Sequence, residues 1–97
     1  MPTYITLINF TDQAIPRIKD TMKLQQEAVK RAESMGAKVT GLYMTMGGYD
    51  AVVIFECPSD EAAVGSNIAA SADGNIRTTT LRAFTPEEFA GIVNKLP

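Results

Sequence analysis

The sequence predicts an α+β domain with the element order β-α-β-β-α-β and one further helix at its C-terminus, and three observations carry that reading. Two strand-like runs, Lys38 to Met46 and Asp50 to Cys57, flank Gly47-Gly48, a glycine pair that supplies the positive φ angles of a tight hairpin. Runs rich in β-formers, Tyr4–Phe10 and Asn75–Phe84, stand near the two ends of the chain. Between each outer run and the hairpin lies a stretch with helical spacing of apolar residues. Residues 1–97 are short enough for one domain, and a chain of this size buries only a modest core unless something else covers its apolar faces.

Taken in order, the first strand closes at Thr11-Asp12, whose short oxygen-bearing side chains can cap an incoming helix. From there to Gly36 the residues Ile15, Ile18, Met22, Ala28, Val29, Ala32 and Met35 follow a helical period, with most charges off that face. The start of this helix stays open between the Pro16 region and a second cap at Asp20-Thr21. A two-residue hairpin loop pairs Met46 with Tyr49, Thr45 with Asp50, Met44 with Ala51, Tyr43 with Val52 and Leu42 with Val53. After Pro58, Ser59 or Asp60 caps a short helix of small residues that stops at Gly74. The fourth strand is the most polar, as suits an edge. At the C-terminus Thr85 caps, Pro86 takes the first helical position, Glu88 completes a capping box, and Phe84 can staple onto Phe89. The spacing of Phe89, Ile92, Val93 and Leu96 predicts that this last helix docks on the body.

Composition narrows the function classes. Nine basic and eleven acidic residues give a net charge of −2, and no Lys/Arg run exists that could follow a phosphate backbone, so no nucleic-acid partner is expected. There is no signal-peptide pattern and no long apolar stretch, which predicts no membrane partner and a cytoplasmic location. The lone Cys57 allows no internal disulfide and reads as a small buried hydrophobe. With no histidine, a Ser-His-Asp or Cys-His arrangement is impossible within one chain, and no metal or other cofactor is expected.

The element order is that of the ferredoxin-like split βαβ pattern, in which right-handed crossovers place both helices on one face of a four-stranded antiparallel sheet. The first and third strands are apolar on both sides, Tyr4 and Ile8 against Ile5 and Leu7, then Val52 and Ile54 against Val53 and Phe55. A sheet wetted on one side would alternate more cleanly, so a second copy of the chain is expected over the helix-free face. Strand one with Asn9-Phe10-Thr11-Asp12-Gln13, the hairpin Gly41–Val53 with its Gly48-Tyr49-Asp50 triplet, and Asn75–Thr85 together resemble the GYD-domain family of small, mostly bacterial proteins. That resemblance implies a dimeric α/β barrel, in which two ferredoxin-like sheets face each other, and implies no catalytic residue set.

Alternation along the hairpin places Leu42, Met44, Val53 and Phe55 toward the helices and Tyr43, Asp50, Val52 and Ile54 toward the partner sheet. On the same reasoning Thr6, Thr78, Thr80 and Arg82 are expected on the barrel side, giving six polar groups on an enclosed face: Thr6, Tyr43, Asp50, Thr78, Thr80 and Arg82. One reading makes them the lining of a small-ligand pocket. The other makes Asp50 and Arg82 a structural ion pair or dimer contact and the threonines edge-strand residues. Three functions follow: a homodimer binding a small organic ligand between facing sheets, a cofactor-independent oxygenase or isomerase using Tyr43, Asp50 and Arg82, or a structural oligomerisation module.

Overall fold

The computed structural model describes Met1–Pro97. Strands β1 (Thr3–Phe10), β2 (Lys38–Met44), β3 (Ala51–Glu56) and β4 (Ile76–Ala83) form one antiparallel sheet in the order β2-β3-β1-β4. Helices α1 (Thr21–Ser34) and α2 (Asp60–Ser71) follow β1 and β3, and α3 (Pro86–Val93) follows β4. The expected α+β ferredoxin-like architecture is present, with β4 at an edge where its polar side chains are tolerated.

The hairpin keeps the register read from its sequence, with Leu42 opposite Val53, Tyr43 opposite Val52 and Met44 opposite Ala51. The Thr45 N–H still donates to the Asp50 carbonyl at 2.9 Å, so the departure from a two-residue loop is confined to Met46–Tyr49. There Gly47 takes the positive φ of 100°, and the Thr45 hydroxyl closes the turn on the Tyr49 carbonyl.

The segment before α1 divides differently from the sequence period. Ile15–Asp20 is a 3₁₀ segment with a non-helical Arg17, and the α-helix starts only at Thr21. This break rotates the helix so that Thr21, Gln25, Ala28 and Ala32 turn inward, while Ile15, Ile18 and Met22 remain exposed. In α2, Ser59 is the cap and accepts from the Ala62 N–H at 3.2 Å. Its small residues let the helix lie close to the sheet, burying Ala63 and Ser66.

Packing is uneven along the sheet. Tyr4, Ala37, Phe55, Cys57 and Ala63 form a dense core at one end, with the Tyr4 and Phe55 rings stacked at 5.4 Å. Cys57 is completely buried there, as expected of a small hydrophobe, and burial pushes its thiol pKa up.

The C-terminal helix forms as its local signals dictate. The Thr85 N–H donates to Glu88 Oε1 at 2.9 Å and the Glu88 N–H donates to Thr85 Oγ1 at 3.1 Å, a complete capping box. The hydrogen bond from the Thr85 backbone holds the Glu88 carboxyl below its ordinary value. Docking on the body does not occur. Every residue of α3 is exposed, with Phe89 at 59% and Leu96 at 66%, and Phe84 is exposed as well. The helix leaves the edge strand at the corner of the sheet, where neither α1 nor α2 offers it a surface, and the molecule is correspondingly elongated at 53 × 30 × 18 Å.

Candidate functional site

Residues directly opposite each other on antiparallel strands share a face, so the register decides sidedness. Thr6 lies opposite Val53 on one side and Thr80 on the other; Ile8 lies opposite Ala51 and Thr78; Tyr4 lies opposite Phe55 and Arg82. Thr6, Thr78, Thr80 and Arg82 therefore stand on the helix-covered face, and their expected barrel-side position is corrected. The hydroxyls of Thr6 and Thr80 are met from above by α2.

Thr6 and Thr80 are joined at 2.9 Å, Thr6 donates to Asn67 Oδ1 at 3.3 Å, and Asn67 Nδ2 donates to Thr80. Because the Thr6 hydrogen goes to Asn67, the Thr80 hydroxyl is the donor to Thr6, and the three side chains close a ring of hydrogen bonds. Asn67 is invisible to strand alternation because it belongs to a helix. Its only signal in the sequence is an amide at a helical position facing a threonine-rich strand.

Tyr43 is on the open face, 59% exposed, with its ring lying back over Gly41. A Cβ at position 41 would come within 3.1 Å of that ring, so the glycine makes room for it. Asp50 has a different duty. Its carboxylate accepts from the Phe10 N–H at 2.8 Å and its own N–H donates to the Ile8 carbonyl, fastening the hairpin base to the end of β1. Arg82 is at the opposite end, six residues back along β1, which places the two charges roughly 20 Å apart. An Asp50–Arg82 ion pair within one chain is thereby excluded. The guanidinium instead lies 4.5 Å from the centroid of Phe84 and 5.7 Å from that of Tyr4, donates to the Thr3 and Ala83 carbonyls, and stands 4.0 Å from Glu88. Tyr4 donates its hydroxyl to Asp60 Oδ1 at 2.5 Å, which with burial pushes its pKa up to about 12.

The structure thus brings Thr6 and Thr80 together, with Thr78 further along the same face, and leaves Tyr43, Asp50 and Arg82 at three separate places. Beyond the dense core, toward Ile8, Phe10 and Ile76, the helices and sheet part to leave a cavity of about 220 Å³. Its walls are mainly apolar, with Ala28 and Ala32 from α1 and Ala51 and Val53 from β3. Thr6, Thr78, Ser66 and Asn67 supply polar groups, and Arg17, Glu27, Arg31 and Asp73 balance in charge around it. Ser66 is 8% exposed, and its Oγ is buried with no hydrogen-bond partner. An apolar cavity with a few convergent polar atoms is the usual form of a small-molecule site.

A small antiparallel sheet with two helices on one face and a cavity between the layers defines a ferredoxin-like protein whose function lies in its side chains and not in its fold. The GYD domain profile matches residues 4–93, and the chain belongs to that family. Among solved structures it is similar to FFRP-DM1, at 18% identity with a TM-score of 0.57, over 87% of this chain and all of that one. It is also similar to TTHA0845 from Thermus thermophilus, at 21% identity with a TM-score of 0.56, over 88% of this chain and 95% of that one. Both likenesses concern the fold. A comparison with curated proteins finds no relative. No helix is long and apolar enough to cross a membrane.

Proposed function

We propose that this GYD-domain protein is a small-ligand-binding homodimer whose binding site is the cavity between α1, α2 and the sheet. The observation that carries the reading is the 220 Å³ apolar cavity with unpaired Ser66 in its wall. An engineered cavity of roughly 150 Å³ already admits benzene, so a substituted single ring or a short branched chain fits this one. The reading moves the ligand from between facing sheets to the helix side, because Thr6, Thr78 and Asn67 line that side. It favours binding over catalysis, since Tyr43, Asp50 and Arg82 do not converge on a common substrate position.

The homodimer is supported by surface. The chain exposes 6557 Å², against roughly 5,400 Å² for a folded monomer of 10.5 kDa. The excess of about 1,100 Å² is more than the roughly 800 Å² that one partner contributes to a standard interface. Ile5, Leu7, Val52, Ile54 and Leu81 lie together on the helix-free face, and a second copy is the partner with the matching need.

The test is a titration of ¹⁵N-labelled protein with small apolar aromatics. Amide shifts are expected at Ala28, Ser66, Asn67 and Thr78. Shifts confined to Ile5, Leu7 and Ile54 would put the site on the open face and overturn the assignment. Saturating ligand should also raise stability, by about 2.7 kcal/mol at a hundred times its dissociation constant.

A further inference from the structure

The hydrogen-bonding inventory of the cavity wall specifies more than size. In the ring formed by Thr6, Thr80 and Asn67, each hydroxyl donates once and accepts once, and Asn67 uses its Oδ1 and one of its two Nδ2 hydrogens. One Asn67 N–H is left over. Ser66, the preceding residue of α2 and part of the same wall, has a hydroxyl with no partner although it is more than nine-tenths buried. A buried donor left without an acceptor is unfavourable, so a wall that keeps one favours any occupant that accepts from it. Three longer polar side chains of the wall are engaged elsewhere, while the Thr21 and Thr78 hydroxyls make no hydrogen bond within the chain but, unlike Ser66, are only half-buried. Arg17 donates to Asn75 Oδ1, Arg31 to the Ala69 carbonyl and Gln25 to Met44 Sδ.

Charge sets the second condition. Arg17 and Arg31 are matched by Glu27 and Asp73 around the cavity. Nothing inside it holds a full charge, and burying an unpaired carboxylate or ammonium is strongly unfavourable.

Building on the reading of the cavity as the binding site, we infer that its ligand is a neutral, largely apolar molecule carrying one hydrogen-bond acceptor of the carbonyl type, held by the Ser66 hydroxyl and the spare Asn67 N–H. A carbonyl oxygen has two lone pairs, which suits two donors from adjacent residues on one helix. The hydrocarbon remainder lies against Ala28, Ala32, Ala51 and Val53.

The experiment compares acetophenone, ethylbenzene and benzoate, three probes of closely similar size, by NMR titration of the full chain. Acetophenone is expected to bind about tenfold more tightly than ethylbenzene, the ratio that one or two neutral hydrogen bonds supply. Benzoate is expected to bind more weakly than acetophenone. Ser66→Ala, a change that favours helix, should fold normally and reduce the acetophenone preference severalfold, and Ser66→Thr, which restores a hydroxyl, should recover part of it. Equal binding of acetophenone and ethylbenzene would leave the cavity a binding site and overturn the acceptor assignment. A preference unchanged in Ser66→Ala, or benzoate as the tightest of the three, would overturn it too. If none of the three binds, the reading of the cavity falls and this inference with it.

Discussion

On the helix-covered face of the sheet, Thr6 and Thr80 are tied to Asn67, Tyr4 to Asp60, and Phe55 is buried beneath Tyr4. On the opposite face Ile5, Leu7, Val52 and Ile54 lie with no helix above them, and Leu81 and Tyr43 are exposed at 47% and 59%. The helix-covered face mixes polar residues with its apolar ones, and the open face carries an aliphatic cluster that alternation in a sheet wetted on one side would not place there. This contrast separates the two faces. The inner one is covered by the chain's own helices, which leave a cavity and one unpaired hydroxyl, Ser66, while the outer one is the face proposed to meet a second copy.

The contrast is broken most directly at adjacent residues of β3. Phe55→Ala removes a ring from the dense core and should cost about 3–5 kcal/mol, read as a lower denaturant midpoint at every protein concentration. Ile54→Glu puts a charge on the open face and should cost about 2–3 kcal/mol in the assembled protein, seen by sedimentation as dissociation. A parent protein that stays monomeric at micromolar concentration, or a variant that assembles like its parent, would remove the open face as an interface.

Much of this is legible in sequence, and the failures have one origin. The capping box of α3, the Ser59 cap, the hairpin register and the edge position of β4 are local or nearest-neighbour properties, which short-range chemistry decides. Thr6, Thr78, Thr80 and Arg82 fall on the wrong face because alternation within a strand does not say which of its two sides meets the helices. The deciding fact is the pairing of Thr6 with Val53, a contact 47 residues apart in sequence. Asp50 misleads in the same way. A carboxylate that satisfies the Phe10 N–H is indistinguishable in sequence from one aimed at a ligand. Ile15, Ile18 and Met22 lose their inward place to a 3₁₀ segment that no period reveals.

The inner face also has a pH signature. Tyr4 is raised from its ordinary value of 10.0 to about 12, chiefly by its hydrogen bond to Asp60. A group whose folded pKa is raised contributes stability that is fully present below its unfolded value and lost as pH rises toward the folded one. Stability should therefore fall between pH 10 and about 12. In Tyr4→Phe the part of that fall due to this hydroxyl should disappear, with a small loss of stability at neutral pH from the missing hydrogen bond. An alkaline profile identical in the two proteins would show that Tyr4 ionises as freely folded as unfolded. Ile54→Glu, on the other side of the sheet, should leave this alkaline limb in place.

The smallest effect on the chain itself is expected from α3. It is locally well specified, yet none of Phe89, Ile92, Val93 and Leu96 is buried. Deleting Pro86–Pro97 should therefore change the unfolding free energy of dilute, unassembled protein by no more than about 0.5 kcal/mol, as for other surface changes. If the apolar stripe meets a second copy, the same deletion should weaken assembly at higher concentration, since four large apolar side chains would leave the interface together. The two measurements separate the possibilities. A truncated chain that melts earlier at all concentrations would mean that the helix folds back on its own sheet in solution, where it would cover part of the open face. A loss that grows with protein concentration would instead assign α3 to the outer, partner-seeking half of the molecule.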